Sequence, residues 1–185
     1  MLEWIIELLL SSFIVSALLS TLIFGCIYMY KKNKGRAFEK KVITFIFLFY
    51  LICLLYVTVY REGLFMNSTR TVNLIPFEML IESYEYSLSV DPLRAMLFLI
   101  YNIVGNIAWF VPLGFMVNFY LKKPYFWKAF GIAFGLSFTI ELLQFIGYVG
   151  ITDIDDLIFN TIGGCIGYGI YRFIYRRQLC QLENK

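Results

Sequence analysis

"GITDIDDLIFNTIGG" (residues 150–164) sets Asp153, Asp155 and Asp156 within four positions, then runs through apolar residues to Gly163 and Gly164. A helix that starts inside this stretch is acidic in its first turn, where the positive end of the helix dipole favours anions. Asp153 or Asp155 can also cap its open N–H groups. Asp156 and Asn160 lie four apart and so share one helical face. Polarity is carried one turn into a segment that is otherwise hydrophobic. The residues on either side decide whether that segment belongs to a soluble core or to a bilayer.

They point to a bilayer. Of 185 residues, 60% are hydrophobic and only 16% are charged, against about 25% charged in a soluble domain. Five segments, 8–30, 42–60, 95–121, 125–149 and 157–174, are long and apolar enough to cross about 30 Å of hydrocarbon. The expected fold is an all-α polytopic membrane protein with five transmembrane helices, forming one domain over residues 1–185. The first segment has an acidic flank (Glu3, Glu7) and no small-x-small cleavage site, so it is expected to be a helix and not a cleavable signal peptide.

Charge sets the expected orientation. With five spans, thirteen of the sixteen basic residues fall on one side: six in "KKNKGRAFEKK" (31–41), then Lys122, Lys123, Lys128, Arg172, Arg176, Arg177 and Lys185. The other side holds Arg61, Arg70 and Arg94 with the aspartates and Glu62, Glu78, Glu82, Glu85 and Asp91. The positive-inside rule then puts the N-terminus outside and the C-terminus in the cytoplasm. The net charge of +3 follows topology and gives no sign of nucleic-acid binding. Asp91-Pro92 reads as a cap and first-turn proline opening the third span, and Lys122-Lys123-Pro124 closes it. The connection 61–94 contains the apolar "NLIPF" (73–77), expected to dip into the outer interface.

Polar side chains inside spans need partners, since an ionised carboxylate at mid-span costs about 2.5–3.5 kcal/mol. Asn102 and Asn106 share a face of the third span, Glu141 and Gln144 a face of the fourth, and Asp156 and Asn160 a face of the fifth. Alternating directions put Asn102, Glu141, Gln144, Asp156 and Asn160 in the outer half, with Asn106 nearer the middle. That convergence below the aspartates describes an outward-facing polar pocket. The same residues could instead hold the helices together through interhelical hydrogen bonds, which average about 0.6 kcal/mol, and the aspartates could be solvated loop residues. Gly131-x-x-x-Gly135 and Gly163-x-x-x-Gly167 are expected to pack the fourth span on the fifth. The chain has no His, which excludes His-based zinc sites and Ser-His or Cys-His catalysis. Cys26, Cys53, Cys165 and Cys180 have no ligand spacing, sit within or at the ends of apolar runs, and read as free buried thiols.

The blocks "NLIPF", "GNIAWFVPLGF" (105–115), "LSFTIELLQF" (136–145) and "GITDIDDLIFNTIGG", in this order, resemble the VanZ-like family over residues 73–171. The family pattern falls here on Asn73 and Pro76, on Asn106, Pro112 and Gly114, on Glu141 and Gln144, and on Asp153, Asp156, Asn160 and Gly163. Many relatives carry an arginine shortly before the aspartates, where this chain has "GYVGI" (147–151). The family is named for an accessory protein of glycopeptide-resistance clusters that raises tolerance to teicoplanin. The resemblance thus implies a cell-membrane protein of the Gram-positive envelope that alters how lipoglycopeptides meet the surface. It supplies no reaction.

The favoured reading is non-enzymatic. The pocket, with Asn73, Asn102, Asn106, Glu141, Gln144, Asp153, Asp155, Asp156 and Asn160, would engage membrane lipid, a lipid-linked cell-wall precursor or an envelope polymer. A divalent cation on Asp153, Asp155 and Asp156 could bridge carboxylates to phosphates, although DxDD is not a complete ligand set. No other cofactor is expected. One alternative is a membrane-embedded enzyme acting on a lipid-linked head group, with Glu141 as general base. A small carrier with Glu141 as coupling carboxylate is another.

Overall fold

The computed structural model describes residues 36–55, 58–59, 71–89 and 91–183. The expected first span, the N-terminal side of the membrane and the connection 60–70 lie outside the described residues. The chain divides into two units, Met1–Thr58 and Val59–Lys185.

In the first unit, α1 (Arg36–Leu55) begins basic and continues as an unbroken apolar run without Gly or Pro. Tyr50 and Leu54, four apart, are buried, while Leu48 and Phe49 are exposed, so the helix has an inner and an outer face. It starts six residues before the expected second span.

The second unit runs β1 (Thr71–Asn73), α2 (Glu78–Ser89), α3 (Pro92–Leu121), α4 (Phe126–Gly147), β2 (Ile151–Asp153) and α5 (Ile154–Glu183). It is mostly helical, and two segments, Asn102–Leu121 of α3 and all of α4, are long and apolar enough to cross a membrane. α3 opens at Pro92, as the Asp-Pro pair requires, and passes through Pro112 without ending. The freed carbonyl of an interior proline is tolerated where neighbouring helices cover it. One side chain closes the α3–α4 turn. Asn118 donates from Nδ2 to the Gly114 carbonyl at 2.8 Å, and its Oδ1 accepts the Tyr125 N–H at 2.6 Å.

The packing gives the helix directions. Asp156, Gly163, Gly167 and Tyr171 of α5 meet Asn106, Ile107, Val111 and Phe115 of α3 in ascending order, so these helices run parallel. Asn160, Gly164 and Tyr168 meet Ser137, Ala133 and Phe126 in descending order, so α4 is antiparallel to α5. Between membrane helices lipid is as apolar as leucine, and close backbone approach does the work that water exclusion does elsewhere. A Cβ on Gly114 would sit 2.6 Å from the Gly164 carbonyl carbon, and one on Gly167 would sit 2.7 Å from the Phe115 nitrogen. Phe110 and Leu113 are buried beside this seam. Outward, Phe134, Phe138, Leu142 and Ile146 of α4 are exposed. Their spacing of four residues gives a stripe of large apolar side chains that suits hydrocarbon and would be a liability in water.

Five sequence expectations need correction. Cys165 is half-buried and Cys180 exposed, where the sequence leads one to expect buried thiols. The fold is not purely helical: β1 and β2 pair in parallel, Thr71↔Ile151, Val72↔Thr152 and Asn73↔Asp153. The second half of the expected loop is the helix α2. The fifth helix extends from residue 154 to 183, beyond the expected 157–174. The glycine pairs also behave differently from each other. Gly163 and Gly167 pack on α3 and not on α4, which meets Gly164 through Ala129 and Ala133, while Gly131 and Gly135 are exposed with nothing within 4 Å of an added Cβ.

Candidate functional site

The site is built where α4 ends and α5 begins. Tyr148, at φ 52°, and Gly150, at φ 60°, turn the chain out of α4. The Val149 N–H closes the helix end on the Gln144 carbonyl at 3.0 Å. Left-handed backbone costs a tyrosine more than a glycine, so this turn is held by its surroundings. β2 then lays Asp153 beside Asn73 at the end of β1.

Asp153 is the N-cap of α5. Its Oδ1 accepts the Asp155 N–H at 2.9 Å, satisfying one of the open donors of the first turn. Asn73 Nδ2 donates to both oxygens of the same carboxylate, at 3.3 and 3.4 Å, while Asn73 Oδ1 accepts the Ile75 N–H at 3.1 Å. Asp155 turns the other way, its Oδ1 accepting the Phe77 N–H at 2.7 Å. That bond holds Phe77 at φ 65°, a left-handed conformation unusual for a bulky residue. The "NLIPF" block is therefore folded onto the aspartates by two side-chain clamps.

The two membrane-length helices supply the rest. Glu141 of α4 accepts the Asp153 N–H on Oε2 at 2.8 Å, and its Oε1 is buried without a hydrogen-bond partner. Asn106 of α3 donates to Asp156 Oδ1. One turn deeper, Asn160 Nδ2 donates to Ser137 Oγ at 2.9 Å. Glu141 is 6% exposed, and Asp153 and Asp155 are each 2% exposed. Burial pushes the Asp153 carboxyl above the ordinary carboxylate range and the neighbouring Asp155 charge adds to this, while the bonds from the Asp155 N–H and Asn73 pull it back.

Asn73, Glu141, Asp153 and Asp155 are thus joined in one hydrogen-bond network, the Asn106–Asp156 pair adjoins it along the chain, and Asn160 lies one turn beneath. Asn102 is half-buried one turn before Asn106, and Gln144 is half-buried three residues after Glu141. The three aspartates do not converge on one point, since each carboxylate has a different partner. Among the described residues no group of three or more His, Cys, Asp or Glu side chains is placed to hold a metal ion. Sequence reasoning missed Ser137 and Phe77. Ser137 was detectable, because it stands four residues before Glu141 on the same face; Phe77 carried no signal, since nothing local marks a phenylalanine for positive φ.

Known proteins match much of this chain. The VanZ/LLP1 family model matches residues 47–175. Protein VanZ of Enterococcus faecium is 39% identical over 70 residues, covering 38% of this chain and 44% of that protein. The chain thus spans less than half the length of that curated relative. No solved structure matches the chain. The matched span takes in both β strands, the four helices from α2 to the body of α5, and every residue of the network, and on that match the chain belongs to the VanZ-like family.

Proposed function

We propose that this protein lowers susceptibility to teicoplanin-type lipoglycopeptides by engaging a cell-envelope component at the Glu141–aspartate site, which opens to the outside of the membrane. One observation carries the reading. Side chains from β1, α3 and α4 all bond to the short segment 153–156, and Asn160 adds a second polar layer below it. Interhelical glue does not require a carboxylate with a buried oxygen left over, whereas a ligand site does. The reading includes five spans with the N-terminus outside. In its favour, the acidic cluster lies at one end of the parallel α3–α5 pair while Lys122, Lys123, Arg172, Arg176 and Arg177 lie at the other, the asymmetry expected of an outer and a cytoplasmic end. The family resemblance supplies the antibiotic class, and a lipid-linked wall precursor or envelope polymer is the candidate ligand.

The test is complementation of a host strain lacking the protein with wild type, Glu141→Gln and Asp156→Asn, scored for teicoplanin and vancomycin tolerance. Wild type is expected to restore teicoplanin tolerance. Each variant is expected to fall toward the empty vector at a normal membrane level on immunoblot. Full tolerance in both variants would remove the site from the function. A cysteine placed at the exposed Ile151, beside the aspartates, should react with an impermeant maleimide on intact cells and cysteines at 31–41 should not; labelling of both from outside overturns the topology.

A further inference from the structure

We infer that the buried carboxylate oxygens left free on Glu141 and Asp155 recognise a primary ammonium group on the ligand. The inference rests on the proposed function only for the statement that the ligand arrives from the envelope side.

The argument is a donor and acceptor census. Glu141 Oε2 takes the Asp153 N–H, Asp153 takes the Asp155 N–H and the Asn73 amide, Asp155 Oδ1 takes the Phe77 N–H, and Asp156 Oδ1 takes the Asn106 amide. All these donors are neutral and each is committed. Glu141 Oε1 and Asp155 Oδ2 remain buried with no hydrogen-bond partner. Glu141 reaches the cluster from a different helix, and its bond to the Asp153 N–H fixes its carboxyl group toward the aspartates. A buried carboxylate oxygen without a donor is costly, so the site is short of N–H groups and of positive charge together.

Geometry narrows what can supply them. A calcium-like ion needs six to eight oxygens at about 2.3–2.6 Å, and no such group is assembled among the described residues. A guanidinium makes its strongest contact through a fork onto both oxygens of one carboxylate. Glu141 and Asp155 each have one oxygen already accepting a backbone N–H, so a fork would have to share an occupied oxygen on either carboxylate, which favours single contacts to the free oxygens. An ammonium carries three separate donors and one positive charge and can meet single free oxygens one at a time. A quaternary ammonium has the charge without the donors.

The test uses the purified full chain in lipid nanodiscs, with methylammonium chloride as probe. Tetramethylammonium, sodium and calcium chlorides are compared at equal ionic strength. Methylammonium is expected to raise Tm by about 2–4 °C over tetramethylammonium. Glu141→Gln and Asp155→Asn are expected to abolish the shift, and Thr139→Val, on the exposed face of α4, to keep it. Equal shifts with tetramethylammonium or sodium, a larger shift with calcium, or no shift with any salt each overturn the inference. So does a methylammonium shift that survives in both acidic variants. If Glu141→Gln does not fold, Asp155→Asn decides. A missing shift alongside lost teicoplanin tolerance in Glu141→Gln defeats the ammonium and leaves the proposed function standing; a clear shift alongside full tolerance does the reverse.

Discussion

Gly131–Gly135 and Gly163–Gly167 have the same spacing and opposite fates. The first pair faces outward on α4 with nothing within 4 Å of an added Cβ; the second is pressed against the backbone of α3. Small-x-x-x-small spacing says that a helix has a face without side chains, and the neighbours decide whether another helix uses it. On α5 the neighbours are an Asn and an Asp on the same face, each bonded to an adjacent helix. On α4 the polar residues Ser137 and Glu141 point toward α5 and β2, away from the glycine pair. Close packing and polar bonding therefore coincide on one helix and are separated on the other.

The sharpest way to break this contrast is Gly167→Leu. The added side chain begins 2.7 Å from the Phe115 nitrogen, and overpacking costs about 1–3 kcal/mol even where side chains can yield. The folded peak in detergent size exclusion is expected to disappear. A normal peak with normal Tm would mean that α3 and α5 are not in contact.

Asn160→Ala should follow, at a cost of about 1–2 kcal/mol, because Ser137 Oγ loses its partner. A double-mutant cycle with Ser137→Ala is expected to return a coupling of about 0.6 kcal/mol, and at most about 1.7. Zero coupling would separate the two helices at that level.

Gly131→Ala and Gly135→Ala should have smaller effects of the opposite sign, each raising thermal stability by up to about 1 kcal/mol through helix propensity. Destabilisation would reveal a partner on that face and bring the two glycine pairs closer in kind.

The smallest effect is a pH dependence at Asp153. Its folded pKa is raised by burial, so the native state holds the proton to higher pH than the unfolded chain does. Its contribution is present below the unfolded value of about 3.9 and is lost as pH rises through the folded value. Asp153→Asn keeps the capping oxygen and cannot ionise. The Tm of wild type relative to this variant is expected to fall as pH rises from about 4, and parallel profiles would contradict the assignment.

What the sequence made legible follows from locality. α3 and α4 begin and end near Pro92, Lys122 and Pro124 because capping and proline effects act within a turn. Asp156 with Asn160, and Asn102 with Asn106, could be placed on common faces because four-residue spacing is geometry within one helix. The Asn73–Asp153 bond joins residues 80 apart, and three-residue strands are too short to show alternation, so the parallel pair left no trace. "EMLIESYEYSLS" reads as loop because its three glutamates, three serines and two tyrosines outweigh a weak helical pattern, yet it forms α2 beside α3. The partner of Gly163 was misassigned because a missing side chain carries no directional information.

α5 is one unbroken helix from Ile154 to Glu183, with Asp156, Asn160, Gly163, Gly167 and Tyr171 recurring at intervals of four and three along it. The helix therefore acts as a phase ruler between two reading heads, the carboxylate cluster above and the backbone seam below. One residue inserted between Asn160 and Gly163 would turn everything beyond it by about 100° and push it about 1.5 Å along the axis. Either end could then find its register, but not both. Adding a whole heptad would restore the angle while sliding the two heads about 10 Å apart. Within this interval the chain can exchange side chains, but its length is fixed.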